Sequence, residues 1–350
     1  MKKFILFFAI VAFAFVACQE NSDEVIPTQE TLAVDMSDFY VYTDDDNLSE
    51  KSSGSQKDDK CHSMQVLNRQ LKENPGLYQK MYNIEKHSRT VISFKGKPTN
   101  PGGGGGTTPT PYTGTITIPV IVNILEDSAH PVSTAHINSQ IAILNADFNN
   151  NNSNTSNVPA EFASLVANSN ITFTLAGVNR KTSTKTTWGT NDAMKYASQG
   201  GIDATDPANY LNLWVCEIGG GILGYAQFPG GTTATDGVVI GSDYFGENTA
   251  GGVYGHGRTA THEVGHWLNL RHIWGDGRCK QDDFVADTPS SDGPNYKCPS
   301  YPTVNCQSND MTMNYMDYVY DDCMYMFSLG QNDRMRAIFA TGGARESFVQ

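Results

Sequence analysis

Positive charge is scarce in this chain. Its 350 residues carry 24 Lys and Arg against 37 Asp and Glu, a formal charge of −13. No basic stripe is present to meet phosphates, which argues against nucleic acid as a partner. A membrane-spanning run is also missing: the apolar stretch Phe4 to Ala17 has 14 residues, short of the about 20 that cross a bilayer as a helix. No internal repeat divides the chain. The acidic surplus then fits solubility and cation sites.

What is present at the N-terminus is a targeting pattern. Lys2 and Lys3 precede the apolar run, and residues 1–17 read as a secretory signal removed on export. Cys18 follows Val16-Ala17, a small-residue approach similar to a bacterial lipoprotein box, although Phe15 stands where Leu is usual. On that reading Cys18 is lipidated and becomes the mature N-terminus of an outer-membrane or cell-surface lipoprotein. Glu20, Asp23 and Glu24 fit export to the outer surface. Membrane contact is expected only through that lipid. The alternative is an ordinary cleaved signal and a secreted product.

Residues 18–105 form a second unit. An acidic tether containing Asp44-Asp45-Asp46 gives way to two short helical patterns. Met64, Leu67 and Leu71 recur at helical spacing, as do Leu77, Met81 and Ile84, with Asn74-Pro75-Gly76 as the break. A Gly/Thr/Pro linker from Pro98 to Pro111, containing Gly102 to Gly106, marks the boundary with the next unit. The third unit, 106–350, opens with a β-branched run from Thr115 to Leu125 and a helix through Ile137, Ile141, Leu144 and Phe148. Strands follow at Ile171 to Val178, Asn212 to Glu217, Leu223 to Gln227 and Gly237 to Ser242.

The chemistry is concentrated in His262-Glu263-Val264-Gly265-His266-Trp267-Leu268-Asn269-Leu270-Arg271-His272. His262 and His266 are four apart and share a helix face. His272 is six residues further on, so the chain must turn after Leu268 for it to reach them. Catalytic zinc takes three protein ligands and keeps one position open. Three neutral imidazoles leave the ion its charge and acidify a bound water. Glu263, beside the ligands, suits a general base and not a ligand.

This segment resembles the metzincin signature H-E-x-x-H-x-x-G-x-x-H, with Asn269 in place of its Gly. Asn is the next most tolerated residue in a left-handed turn. Asn314-Tyr315-Met316-Asp317-Tyr318 is similar to the Met-turn of that group. Leu223 to Pro229, Asp236 to Ile240 and Asn314 to Phe327 narrow the likeness to the pappalysin (cytophagalysin) family, over most of residues 112–350.

The resemblance implies an α+β fold with a deep cleft, a twisted mixed upper sheet, an active-site helix and a loop-rich lower subdomain stapled by disulfides. It implies a zinc endopeptidase acting on peptides or proteins, with Met316 beneath the imidazoles and Tyr318 steadying the oxyanion. It makes Leu223 to Gln227 the edge strand at the cleft rim, able to bind extended peptide by strand addition. It favours Cys279–Cys306 and Cys298–Cys323 among the three pairings that four cysteines allow. It supports calcium at Asp283 and Thr288, within an acidic group that also contains Asp276, Asp282 and Asp287.

Cys61-His62-Ser63-Met64-Gln65-Val66-Leu67 resembles a pappalysin pro-segment. There a thiolate occupies the open zinc position and keeps the enzyme latent. A Cys61–Cys216 disulfide is the competing reading. Beyond the Met-turn, Asp322 is the candidate that would select Arg or Lys after the scissile bond. Two other functions stay open: a surface adhesion lipoprotein with a non-catalytic zinc site, and a gluzincin-type peptidase, which would leave His272 and Met316 unexplained.

Overall fold

The computed structural model describes residues 34–41, 60–95, 109 and 111–350. The expected signal, Cys18, the acidic tether around Asp44 and the linker glycines lie outside them.

Five strands make the main sheet: β1 (Ile116–Glu126), β2 (Ile171–Thr182), β3 (Leu211–Cys216), β4 (Gly224–Ala226) and β5 (Val238–Gly241), in the order β2-β1-β3-β5-β4. The first four in that order run parallel, and β4 is antiparallel on the edge. A central strand with both faces covered reads as a continuous apolar run. β1 does so from Val120 to Leu125, where six consecutive residues on both faces are buried. Pro119 sits inside β1, where a proline cannot donate to the ladder. It is placed just before β3 pairing begins at Val120 and beside the register shift at Val120/Ile121. β2 runs four residues beyond the expected Val178. Its last residues, Asn179 to Thr182, pair with β1 on the exposed sheet edge and lack the apolar pattern that marks a buried strand.

N-terminal to the sheet are α1 (Ser63–Glu73) and α2 (Leu77–Ser93). The β1–β2 connection carries α3 (Thr134–Phe148), started by a reciprocal cap in which Ser133 accepts from the His136 N–H. After β5 comes α4 (Arg258–Trp267), every residue of which is buried. Gly257 begins α4 at φ +71, where a Cβ would meet Ile143 at 2.7 Å. Ala260, Val264, Trp267 and Leu268 belong to the apolar core shared with β1, β3 and β5.

Past α4 regular structure is sparse. Two short ladders join Tyr296–Lys297 to Tyr318–Val319 and Val304–Asn305 to Ser308–Asn309. Disulfides connect Cys279 to Cys306 and Cys298 to Cys323, across 27 and 25 residues. Loops of this length gain about 3 kcal/mol each from closure in the chain-entropy view. The last helix, α5 (Leu329–Ala337), is capped by Ser328 with Gln331, and Asp287 accepts from both Ser328 Oγ and the Gly330 N–H.

α1 and α2 bury Met64, Leu67, Leu71, Leu77 and Met81 against Phe228. The chain leading into α1 lies along β4: the Leu223 N–H donates to the Lys60 carbonyl (2.8 Å), and the His62 N–H donates to that of Gly224 (3.1 Å). This strand addition is parallel, with Cys61 beside Gly224.

Candidate active site

Helical spacing and one turn bring three imidazoles to a point. His266 Nε2 lies 3.1 Å from His262 Nε2 and 3.1 Å from His272 Nε2. Each opposite ring nitrogen has its own acceptor. His262 Nδ1 reaches the Tyr315 carbonyl (2.7 Å), His266 Nδ1 the Leu270 carbonyl (2.8 Å), and His272 Nδ1 the Asp276 carboxylate. Those bonds place the protons on Nδ1 and leave three Nε2 lone pairs facing one another. Burial, with His272 adding to it, pushes His262 down to about 3, and the same causes push His266 well below its usual value. Neutral lone pairs at such separations repel unless a cation lies among them. The donor set therefore fits a metal ion, with the outer hydrogen bonds orienting each ligand.

The turn that returns His272 depends on Asn269, which sits at φ +74. Its carbonyl accepts from Arg334 Nε (2.8 Å). Met316 is fully buried against helix α4, where a Cβ on Gly265 would come 2.5 Å from its sulfur. Only a residue without a side chain lets helix α4 sit this close to Met316. The Met316 turn is fixed by Asn314, whose Oδ1 accepts from the Met316 N–H (2.9 Å).

The N-terminal segment fills the remaining side. Cys61 Sγ lies 3.5 Å from His266 Nε2 and 3.5 Å from Glu263 Oε2, and it joins the three histidines in one group of ligand atoms within 4.8 Å of one another. Burial, and then Glu263, push the thiol up. The competing Cys61–Cys216 disulfide does not form: both are buried free cysteines. Ser63 was not anticipated. Its hydroxyl donates to Glu263 Oε2 (2.7 Å) and accepts from the Ala226 N–H (2.7 Å). Burial raises Glu263 to about 7, against the pull of Ser63 and Cys61. Tyr318 points its hydroxyl at the Cys61 carbonyl (3.3 Å) and packs its ring near His272 and Trp274.

Two more N-terminal anchors escaped sequence reasoning. Glu85 of α2 is gripped by both terminal nitrogens of Arg334 (3.0 and 2.6 Å) and by Arg89. Burial alone would raise its pKa, but Arg334 and Arg89 hold it at about 2. Tyr40 donates to the Gly275 and Asp282 carbonyls and stacks under Arg271. Neither contact has a local sequence signal. Asp276 has one, since it follows His272 by four residues.

The Asp322 side chain is 76% exposed and lies 3.7 Å from His256 Nε2. The cleft wall carries Asp317 and Asp321, together with Cys61, Leu223, His262, Glu263 and Tyr318. Asp321 accepts from the His256 N–H (2.9 Å) and Arg258 N–H (3.3 Å), and burial raises it to about 6. Asp283 and Thr288 do meet: the Thr288 hydroxyl lies 2.9 Å from both carboxylate oxygens, and burial pushes Asp283 well up. Asp276 and Asp287 serve His272 and helix α5 and are not part of that pair.

Comparisons with known proteins agree with this geometry. The Peptidase_M43 family model, described as pregnancy-associated plasma protein-A, matches residues 196–340. An extracellular metalloprotease of Pyricularia oryzae is 34% identical over 235 residues, covering 63% of this chain and 72% of its own. Mature mirolysin of Tannerella forsythia, solved in complex with a cleaved peptide, is 44% identical with a TM-score of 0.66. That match covers 68% of this chain and 96% of its own. A promirolysin mutant from the same organism is 39% identical with a TM-score of 0.71, over 83% of this chain and 96% of its own. This chain therefore belongs to the pappalysin family of metzincins and is a metalloendopeptidase.

Proposed function

We propose that the chain is the latent form of a zinc endopeptidase in which His262, His266 and His272 hold the metal and Cys61 closes its fourth position. The convergence of three Nε2 lone pairs beside a free cysteine carries this reading. Nitrogen donors with a thiol suit zinc over the harder oxygen-seeking cations. When bound, the metal supplies Lewis-acid polarisation of the scissile carbonyl and makes a water acidic near neutral pH.

The protein's own groups do the rest. Glu263, released from Ser63 and Cys61, takes a proton from the attacking water at its carboxylate and returns it to the leaving nitrogen. Tyr318 already donates to a peptide carbonyl beside the imidazoles, that of Cys61. In the active form that hydroxyl is placed to donate to the oxygen on which charge develops. The edge strand β4, paired here by Lys60 to Ser63, offers its backbone to extended substrate once that segment leaves.

Residues 18–105 act as the pro-segment in this account and 106–350 as the catalytic domain. The wider coverage of the pro-form than of the mature form supports that division. Export is supported by relatives named extracellular metalloproteases, and lipidation of Cys18 remains part of the proposal. A preference for Arg or Lys after the cut fits acids near the cleft: Asp317 and Asp321 line its wall, and Asp322, the residue expected to select it, follows directly in the chain. Calcium at Asp283 and Thr288 would compensate a buried carboxylate; the melting temperature should then fall on calcium chelation, and no change would remove calcium from the account.

The test of latency is metal-centred. Cobalt substitution of the full chain should give a thiolate-to-metal charge-transfer band that Cys61→Ser abolishes and processing removes. A band unaffected by Cys61→Ser would sink the latent-ligand role.

A further inference from the structure

A second group of metal-ligating side chains shares no residue with the imidazole motif. β1, β3 and β5 are parallel neighbours, so the residues that follow them leave the same sheet edge. In open sheets with parallel strands, that carboxyl edge is where ligands are commonly bound. Here β1 ends at Glu126 and leads to Asp127 and His130; β3 ends at Cys216 and leads to Glu217; β5 ends at Gly241 and leads to Asp243. A tight turn returns His130: its N–H donates to the Asp127 carbonyl (3.3 Å), and the Ala129 N–H donates to Asp127 Oδ1 (3.0 Å).

Three strand ends thus deliver one imidazole and two carboxylates to a single point. His130 Nδ1 is 3.0 Å from Asp243 Oδ2 and 3.8 Å from Glu217 Oε2. All three ligand atoms lie within 4.8 Å of one another. Zinc bonds of about 2.0–2.2 Å put neighbouring ligand atoms roughly 3.0–3.6 Å apart in tetrahedral or octahedral arrangements. The observed spacing needs only small rotations to match. The side chains are 24–30% exposed, so an ion can enter and keep waters.

Charge points the same way. The charges acting on Glu217 are His130, which relieves it, and Asp243 and Asp127, which oppose it. Three carboxylates therefore share one imidazole that brings at most a single positive charge. The imidazole argues against calcium or magnesium, which prefer all-oxygen shells, and for a first-row divalent ion.

We infer that His130, Glu217 and Asp243 form a second site for a divalent transition metal, with zinc as the ion to test. Asp243 leads the chain from β5 toward Gly257 and helix α4, so an ion there would tie that connection to the ends of β1 and β3.

The experiment uses the full chain with its catalytic metal loaded and calcium in excess to occupy any oxygen site. Zinc per chain is measured by mass spectrometry after equilibration at micromolar free zinc, alongside a calorimetric zinc titration. Wild type should hold two equivalents. Glu217→Gln, an isosteric change at a half-buried position, and His130→Ala should each hold one, with the titration's second binding event lost. If His130→Ala fails to fold, Glu217→Gln decides. One equivalent in wild type, or a second equivalent retained in the variants, overturns the site.

Discussion

Ser63 places its hydroxyl 2.7 Å from Glu263 Oε2 while accepting from the Ala226 N–H of the edge strand. One side chain of the N-terminal segment therefore engages both the carboxylate proposed as base and the strand proposed to receive substrate. Together with Cys61, it blocks two components of the site and not only the metal position.

Removing that hydroxyl should loosen latency. Ser63→Ala strips a donor from a buried carboxylate, a loss worth about 1–3 kcal/mol. The variant should process itself faster than wild type in a gel-based time course. An unchanged rate would mean that Ser63 does no more than pack.

Glu85 predicts a dependence on pH. Its folded pKa, about 2, lies below the ordinary 4.5. The stabilisation is therefore complete above about 4.5 and drains away as pH falls toward 2. Docking of α1 and α2 should weaken through that window. Glu85→Gln removes the charge and leaves Arg334 buried with a neutral partner, a change of about 3–5 kcal/mol when a buried pair is broken. Protease susceptibility of the segment near Ser93 should rise in the variant at neutral pH, and its acid sensitivity between pH 4.5 and 2 should flatten. Equal protection of both chains at every pH would contradict the assignment.

Asp276 fixes the tautomer and direction of His272. Asp276→Asn keeps the shape and weakens that role, so metal affinity should drop by about 10–100-fold. Competition with a chromogenic chelator measures it. Loss of fold without loss of affinity in the folded fraction would assign Asp276 to packing alone.

Asn269 tests the turn itself. At φ +74 a β-branched residue is strained. Asn269→Val should destabilise by about 1–3 kcal/mol, whereas Asn269→Gly should cost little. Thermal melts of the two variants check the contrast, and equal melts would dismiss the turn's importance.

Much of this site was legible because its signals are local. Four-residue spacing puts His262 and His266 on one helix face, and a turn-tolerant Asn269 explains how His272 comes back. β1 announced itself through an apolar run with both faces buried. What was hidden depends on contacts across the chain. Glu85 meets Arg334 across 249 residues and Ser63 meets Glu263 across 200, with no periodicity to betray either. Asp321 and Asp322 are hard to tell apart in the sequence for another reason. Asp321–Cys323 is a 3₁₀ turn, in which successive side chains point about 120° apart. One of two adjacent acids then faces the cleft and the other solvent, and composition cannot say which.

The central claim is that a metal held by His262, His266 and His272 hydrolyses peptide bonds with Glu263 as the base. The direct measurement compares processed wild type with Glu263→Gln on a denatured protein, with metal content determined for both. Both should carry the catalytic metal equivalent, and only wild type should cut, with the variant's rate lower by at least about 10²-fold. Equal cleavage by both, or a metal-loaded wild type as inert as the variant, would contradict it.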